Sequence, residues 1–394
     1  MLLAVNTRLL IKNRIDGTGR FINETLKRIT RDHPEHEFVF FFDRSFNKDF
    51  IFSDNITARV IYPQARHPVL WYWWFEISLT RALKKLKPDI FISPDGFLPL
   101  SVEAPCIPVI HDLNFHHRPG DLPRMVRNYY NTCFPKFAEK ATRIITVSEY
   151  SRKDIAKSYD IDPEIIDVVY NGADKLFKPA TEIEKKETRK RFTGGKDYFV
   201  YAGTLHPRKN IPALLKAFED FKKETGSDMK LVLAGKDLFR TPGMKKKLKH
   251  MNYRNDVILT GRVSAKDMHS IISSATAMTF VSHYEGFGIP VLESMQCGVP
   301  VIASNVTSIP EVAGDAALYI NPSKPETITA AMKKIIIDIK LRENLIKKGF
   351  VQSRKFSWDK TAKTFWESIE KVLNCDAVKN NKPQSRRDAE TQRR

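Results

Sequence analysis

The sequence predicts an α/β fold: two Rossmann-like, doubly wound parallel-sheet domains that face each other across a cleft. Three observations predict it. Short apolar runs alternate with helix-like stretches through both halves of the chain, the pattern of parallel strands covered by helices on both faces. The 394 residues are enough for two domains, each with its own core. Midway, a Lys/Glu-rich stretch from Lys175 to Lys196 carries Pro179, ends on Gly194-Gly195, and reads as a linker leading through a short polar helix.

The elements follow in order. Met1 to Val5 reads as a first buried strand rather than a cleaved leader, since it lacks a charged start, a long apolar core and a small-residue cleavage site. Asp16-Gly-Thr-Gly-Arg20 is a glycine loop expected to open a helix at about Arg20. Strands are expected at Phe38–Phe42, Asp89–Ser93, Ile107–Ile110, Arg143–Val147 and Ile166–Tyr170. Asp160-Ile-Asp162 has the spacing of a metal-binding carboxylate pair, but Pro163 follows it, and it reads as a turn. In the second half, strands are expected at Tyr198–Ala202, Lys230–Ala234, Val257–Leu259, Ala277–Val281 and Val299–Ala303. Near the end, Ser357 is a candidate N-cap, and Trp358, Phe365, Trp366, Ile369 and Leu373 repeat at helical spacing. The expected division is residues 1–177 with the returning helix 357–374, residues 178–356, and a disordered basic tail over 376–394.

Composition bounds the partners. No apolar run approaches the roughly 20 residues that span a bilayer, and the four cysteines show neither pairing nor metal spacing, as in a reducing cytoplasmic compartment. The net charge of +19 predicts attraction to polyanions: nucleic acid, an anionic membrane face or phosphorylated substrates. No zinc-finger spacing, aromatic RNA-binding signature or basic zipper points to nucleic acid, and charge alone does not choose between a membrane face and phosphorylated substrates. Trp71-Tyr-Trp-Trp-Phe75 opens a helix reaching Lys84, Lys85 and Lys87. Five consecutive aromatics occupy every face, so core packing and a membrane-facing surface stand level as readings.

The stretch from Glu285 to Glu293 carries the chemistry. It lies between an apolar strand and a helix with Pro290 at its start and Gly298 at its end. Backbone N–H groups of Gly286, Phe287, Gly288 and Ile289 can approach a phosphate at the positive end of that helix. Glu293, expected in the first helical turn, can accept from vicinal hydroxyls such as those of a ribose, and Glu285 remains as a spare carboxylate. A capping box does not explain Glu293, because the residue three before it is Pro290. Together they fit a nucleotide-sugar site. Gly203-Thr-Leu-His-Pro-Arg208-Lys209 follows a strand and offers two cations to a diphosphate, at a helix start where the dipole disfavours them. His111 ends a strand, where ligands bind in doubly wound sheets. A lone histidine is more often a satisfied structural residue, but one here can orient a sugar or move a proton. Gly17 and Gly19 face the cleft from the other domain, as a second phosphate or acceptor contact.

The spacing Glu285-x7-Glu293, followed by Gly298-Val-Pro-Val-Ile302 and Ile309-Pro-Glu-Val312, resembles glycosyltransferase family 4, and within it the bacterial polysaccharide mannosyltransferases. The resemblance runs from about Asp16 to about Leu373. It implies the GT-B fold and a retaining transfer of a hexosyl group, mannose from GDP-mannose being the family-weighted expectation. The implied acceptor is a saccharide, lipid-linked, in surface polysaccharide or lipopolysaccharide assembly, which makes the anionic inner face of the cytoplasmic membrane the expected partner of a cytoplasmic, peripheral enzyme. It implies that Arg208 and Lys209 hold the donor diphosphate, with Arg208 taking the place of an arginine that many members carry where this chain has Thr204. It implies that the backbone near Val263 meets the nucleobase and that His111 is a cleft histidine. No metal and no cofactor beyond the nucleotide-sugar co-substrate is expected. Two alternatives from other classes stay open: a sugar-nucleotide epimerase of the same architecture, and a non-catalytic basic polyanion-binding protein.

Overall fold

The computed structural model describes residues 1–12, 17–236 and 242–380. Every strand pairing is parallel. In the first half, β1 (Leu2–Asn6), β2 (Glu37–Phe42), β3 (Ile56–Val60), β4 (Ile90–Ser93) and β5 (Cys106–Pro108) form a sheet in the order β3-β2-β1-β4-β5. A bridge from Val109 to Ile145 continues it towards the pair β6 (Ile144–Thr146) and β7 (Ile166–Val168). In the second half, β8 (Tyr198–Ala202), β9 (Lys230–Ala234), β10 (Val257–Gly261), β11 (Ala277–Phe280), β12 (Val301–Ser304) and β13 (Ala317–Ile320) run in the order β10-β9-β8-β11-β12-β13. Strands β8 and β11 are neighbours although far apart in sequence, so the order reverses between them. Ligands of doubly wound sheets bind at such a reversal, beyond the carboxyl ends of the strands.

Burial follows the apolar runs. β4, β6, β8, β11 and β12 are buried along their full length, as expected of strands covered on both faces. One apolar cluster fills one face of the first sheet and another fills one face of the second. A third passes through both domains, from Leu3 and Phe40 by way of Ala173, Phe177, Trp358 and Phe365 to Val200 and Phe280. The two domains therefore share apolar packing at the hinge. Helix Trp358–Asn380 packs on helix Gly17–Asp32 of the first half, and its entry is fixed by Gly172, where a Cβ would stand 2.2 Å from the Trp358 nitrogen.

Two expectations are corrected. The returning helix does not stop at residue 374 and give way to a tail at 376; it continues to Asn380, and the remaining tail residues lie outside the described ones. Helix Gly17–Asp32 begins at Gly17 rather than about Arg20, so both glycines belong to its first turn; Asp16 lies outside the described residues. Within the Trp71–Phe75 run the side chains differ in burial. Trp71, Trp74 and Phe75 are core, while Tyr72 and Trp73 are half exposed and share a helix face with exposed Val69. The turn at Asp160–Asp162 is observed, with Asp160 in the left-handed region and Asp162 accepting from the Glu164 amide.

Candidate active site

The site is built from the loops after β8 and β11, the two strands that flank the reversal of strand order. Between β11 and helix Ile289–Gln296, Gly288 adopts a φ of 108°, and a Cβ there would meet the Ile309 side chain at 2.7 Å. The Ser308 hydroxyl lies 2.9 Å from the Glu285 carbonyl and 3.2 Å from that of Phe287, which fixes both carbonyls against the domain. The Glu285 amide donates to Thr307. Among the described residues, the amides of Gly286, Phe287, Gly288 and Ile289 have no hydrogen-bond acceptor. Four donors at a helix start, beside carbonyls already fixed, are open to an outside acceptor such as an anion.

The cations lie next to it. Pro207–Lys209 is a 3-10 turn that precedes helix Ile211–Thr225. The left-handed Asn210 anchors it, its side-chain amide donating to the carbonyls of Val281 and Pro322. Arg208 donates from Nη1 to the Tyr284 carbonyl at 2.8 Å and to Glu285 Oε2 at 2.7 Å, and Lys209 Nζ donates to Glu285 Oε1. Sequence reasoning treated these two cations as free for a diphosphate. In the structure both are engaged by Glu285, because a carboxylate this buried is stable only when paired. Burial raises the Glu285 carboxyl, but Arg208 and Lys209 outweigh it and bring it down to about 2. Burial lowers Lys209 to about 8, helped by its neighbour Arg208 and opposed by Glu285. Burial also lowers His206, together with Arg208, to about 4, so this histidine is neutral.

Glu293 falls in the second turn of its helix, one residue later than expected, and is buried. Its Oε1 accepts from Nη1 of Arg20, which reaches across from the first domain. Arg20 also contacts Asp174 at 3.4 Å. Burial raises the Glu293 carboxyl to about 7 even though Arg20 opposes it.

The first domain closes on the loop through His111 and Asp112. A Cβ on Gly286 would stand 2.4 Å from the His111 carbonyl and 2.9 Å from the Asp112 Cβ, so only glycine fits this approach. The His111 ring is half buried, with Nε2 at 2.9 Å from the Pro94 carbonyl and its edge against Phe21 at 5.1 Å. The structure thus brings together Glu285, Gly286, Phe287, Gly288, Ile289, Glu293, Arg208, Lys209 and His111. Gly19 is buried one residue before Arg20, while Gly17 is exposed with open space around it. Val263 stands apart, in the loop after edge strand β10, half buried against the apolar core.

Several cleft residues were missed. Arg20 was visible only as the end of a glycine loop, and nothing in its spacing announced a partner 273 positions away. Tyr284 donates to Asp154 of the first domain at 2.5 Å and stacks on His117, which also contacts Asp154 at 2.7 Å. Glu311 crosses the cleft: its carboxylate accepts from the amides of Glu149 and Tyr150 at 2.8 and 3.1 Å, capping helix Glu149–Tyr159 of the other domain. Among the described residues, the one His/Cys/Asp/Glu cluster with mutual distances suited to a metal is His33, Glu35 and His36, at the opposite end of the first sheet.

The comparisons with known proteins agree with the two-domain fold. Residues 15–175 match the model for Glycosyltransferase Family 4, and residues 182–352 match that for Glycosyl transferases group 1. The chain is 28% identical over 361 residues to O-antigen chain mannosyltransferase B of Escherichia coli, covering 89% of this chain and 94% of that one. It is 26% identical over 282 residues to O-antigen chain mannosyltransferase RfbU of Salmonella typhimurium, covering 71% of this chain and 74% of that one. Among solved structures, WaaG, a glycosyltransferase involved in lipopolysaccharide biosynthesis, superposes with a TM-score of 0.71 at 13% identity over 93% of this chain and 98% of its own. HepE of Anabaena, solved with UDP and glucose, superposes with a TM-score of 0.70 at 14% identity over 94% of this chain and 99% of its own. With both halves matched and the two parallel-sheet domains in place, the chain belongs to the group 1 and family 4 glycosyltransferases of the GT-B fold.

Proposed function

We propose that this glycosyltransferase moves a hexosyl group, mannose, with retention from a nucleoside diphosphate sugar, GDP-mannose, to a saccharide acceptor on a lipid carrier, in the assembly of a surface polysaccharide. The observation that carries the donor site is the cradle of four acceptor-free amides between Glu285 and Glu293, flanked by Arg208 and Lys209. The diphosphate would take the amides and the cations, and Glu293 would take the ribose hydroxyls. Glu285, held ionised, would face developing positive charge on the sugar, and His111 would orient the sugar from the other domain. The leaving phosphate would accept the acceptor proton. Fixed cations and helix-end amides would stabilise the leaving group without a metal. Mannose and the polysaccharide acceptor follow the relatives, which are named as O-antigen mannosyltransferases.

The expected membrane contact is the exposed set Tyr62, Val69, Tyr72 and Trp73, with exposed Arg81, Lys84 and Lys85 along the same helical segment. Among the described residues no helix is long and apolar enough to cross a membrane. Binding to vesicles containing anionic lipid should weaken severalfold in Trp73→Ser and weaken further with salt; flotation unaffected by either removes this contact from the account.

The direct test is a thermal-shift panel with GDP, UDP, dTDP, CDP and ADP, followed by sugar release and transfer from the matching nucleotide sugar. A saturable shift with GDP that is lost in Glu293→Ala, and mannose transfer with the α-linkage preserved, are expected. A shift with another nucleotide reassigns the donor, and an inverted product removes the retaining mechanism.

A further inference from the structure

Glu293 is buried at the edge of the amide cradle and meets three charged or titratable groups. Arg20 comes from helix Gly17–Asp32, Asp174 from the end of the first domain, and Cys297 caps the C-terminal end of the Glu293 helix. The Arg20 side chain is only 23% exposed and is shared between two carboxylates, Glu293 in one domain and Asp174 in the other. Its guanidinium also lies 5.5 Å over the Phe177 ring. An arginine held this way between elements of two domains, against the carboxylate that faces the donor, has a use beyond surface solvation.

We infer that Arg20 is a positioning residue for the nucleotide-sugar donor: it holds Glu293 as an aimed carboxylate, while Asp174 competes for the same guanidinium and tempers that hold. This inference rests on the donor site proposed above. A carboxylate accepts from both hydroxyls of a ribose, whereas a protonated carboxyl turns one oxygen into a donor and loses that bidentate fit. Burial works against the carboxylate, Arg20 works for it and the negative charge of Asp174 works against it, and the balance leaves Glu293 near neutrality. Cys297 does not share the proton in this range, because burial pushes its thiol up and Glu293 pushes it further. Donor affinity should therefore rise with pH as Glu293 ionises, with a midpoint that the two neighbouring charges move in opposite directions.

The test is the dissociation constant of the nucleotide sugar that gives the largest thermal shift, measured from pH 6 to 8.5, where its diphosphate diester does not titrate. Arg20→Gln should move the midpoint up by about one pH unit or more, weakening binding at pH 7 roughly fivefold or more and closing the gap as pH rises. Asp174→Asn should move the midpoint down. Arg20→Lys should retain most of the unmodified profile, and kcat at saturating donor and high pH should stay within about threefold in all three variants. If Arg20→Gln does not fold, the Asp174→Asn shift, together with a flat profile in Glu293→Gln, decides the question. Donor binding whose pH profile none of these substitutions moves, or which falls by one factor at every pH, overturns the role of Arg20 and leaves the donor site standing. An unmodified protein that binds no nucleotide sugar overturns both.

Discussion

Glu285 and Glu293 sit eight positions apart in one loop-and-helix unit, yet their environments push them in opposite directions. Arg208 and Lys209 hold Glu285 far below the ordinary carboxylate range, while burial raises Glu293 to about 7. The stability consequences have opposite signs. Glu285 contributes stability that is present above about pH 4.5 and is lost as pH falls towards 2. Glu293 holds a proton in the folded state that the unfolded chain releases between about pH 4.5 and 7, so stability falls as pH rises through that window, by on the order of 3 kcal/mol. Denaturant melts across pH 5 to 8 should show this slope in the unmodified protein and a flatter one in Glu293→Gln; equal slopes would mean Glu293 is ionised throughout. At Glu285, the change to Gln should lower transfer by about 10²–10³-fold with nucleotide binding largely kept, as when a group that acts on developing charge is removed. Equal loss of binding and turnover would make Glu285 a structural anchor for the two cations instead.

At the scale of elements, the unit from β11 to β12 was legible in the sequence. An apolar run, two glycines, Pro290 and Gly298 each demand a particular backbone, and all agree on strand, loop, helix and strand. The start of helix Gly17–Asp32 was misplaced because glycines read as a loop when no capping side chain marks the boundary. The Trp71–Phe75 helix could not be resolved from composition, since which of five aromatics face inwards depends on the rotation of the helix against the first sheet. The ion pairs of Arg208 and Lys209 with Glu285 were equally hidden. They depend on β8 and β11 lying side by side, a long-range pairing that no local pattern encodes. Gly286 tests the loop as an element: Gly286→Ala places a methyl group against the His111 carbonyl and should separate the loop from the first domain. The expected outcome is a turnover drop of tenfold or more with a loss of about 1–3 kcal/mol in stability. Unchanged kinetics would show that the approach of His111 to the loop has no part in turnover.

For the whole molecule, the two-domain architecture was readable because strand and helix patterns alternate on both sides of a polar linker. The contacts that span the cleft were not. Glu311 capping the helix Glu149–Tyr159, Tyr284 on Asp154 and Arg20 on Glu293 are all pairings between domains, and they hold the halves in one arrangement. Of these, the Glu311 cap is the most separable from the donor site. Glu311→Ala should cost about 1 kcal/mol as a lost cap, widen the small-angle scattering envelope and raise the KM for acceptor more than that for donor. An unchanged envelope would show that apolar packing at the hinge suffices to hold the domains. The central claim, that Glu293 reads the ribose of a donor nucleotide, is tested most directly by calorimetric titration of GDP and its 2′,3′-dideoxy analogue into the unmodified protein and Glu293→Gln. The account predicts that loss of the hydroxyls weakens binding about tenfold or more in the unmodified protein and hardly at all in the variant. The same penalty in both proteins, or no nucleotide binding by either, would contradict it.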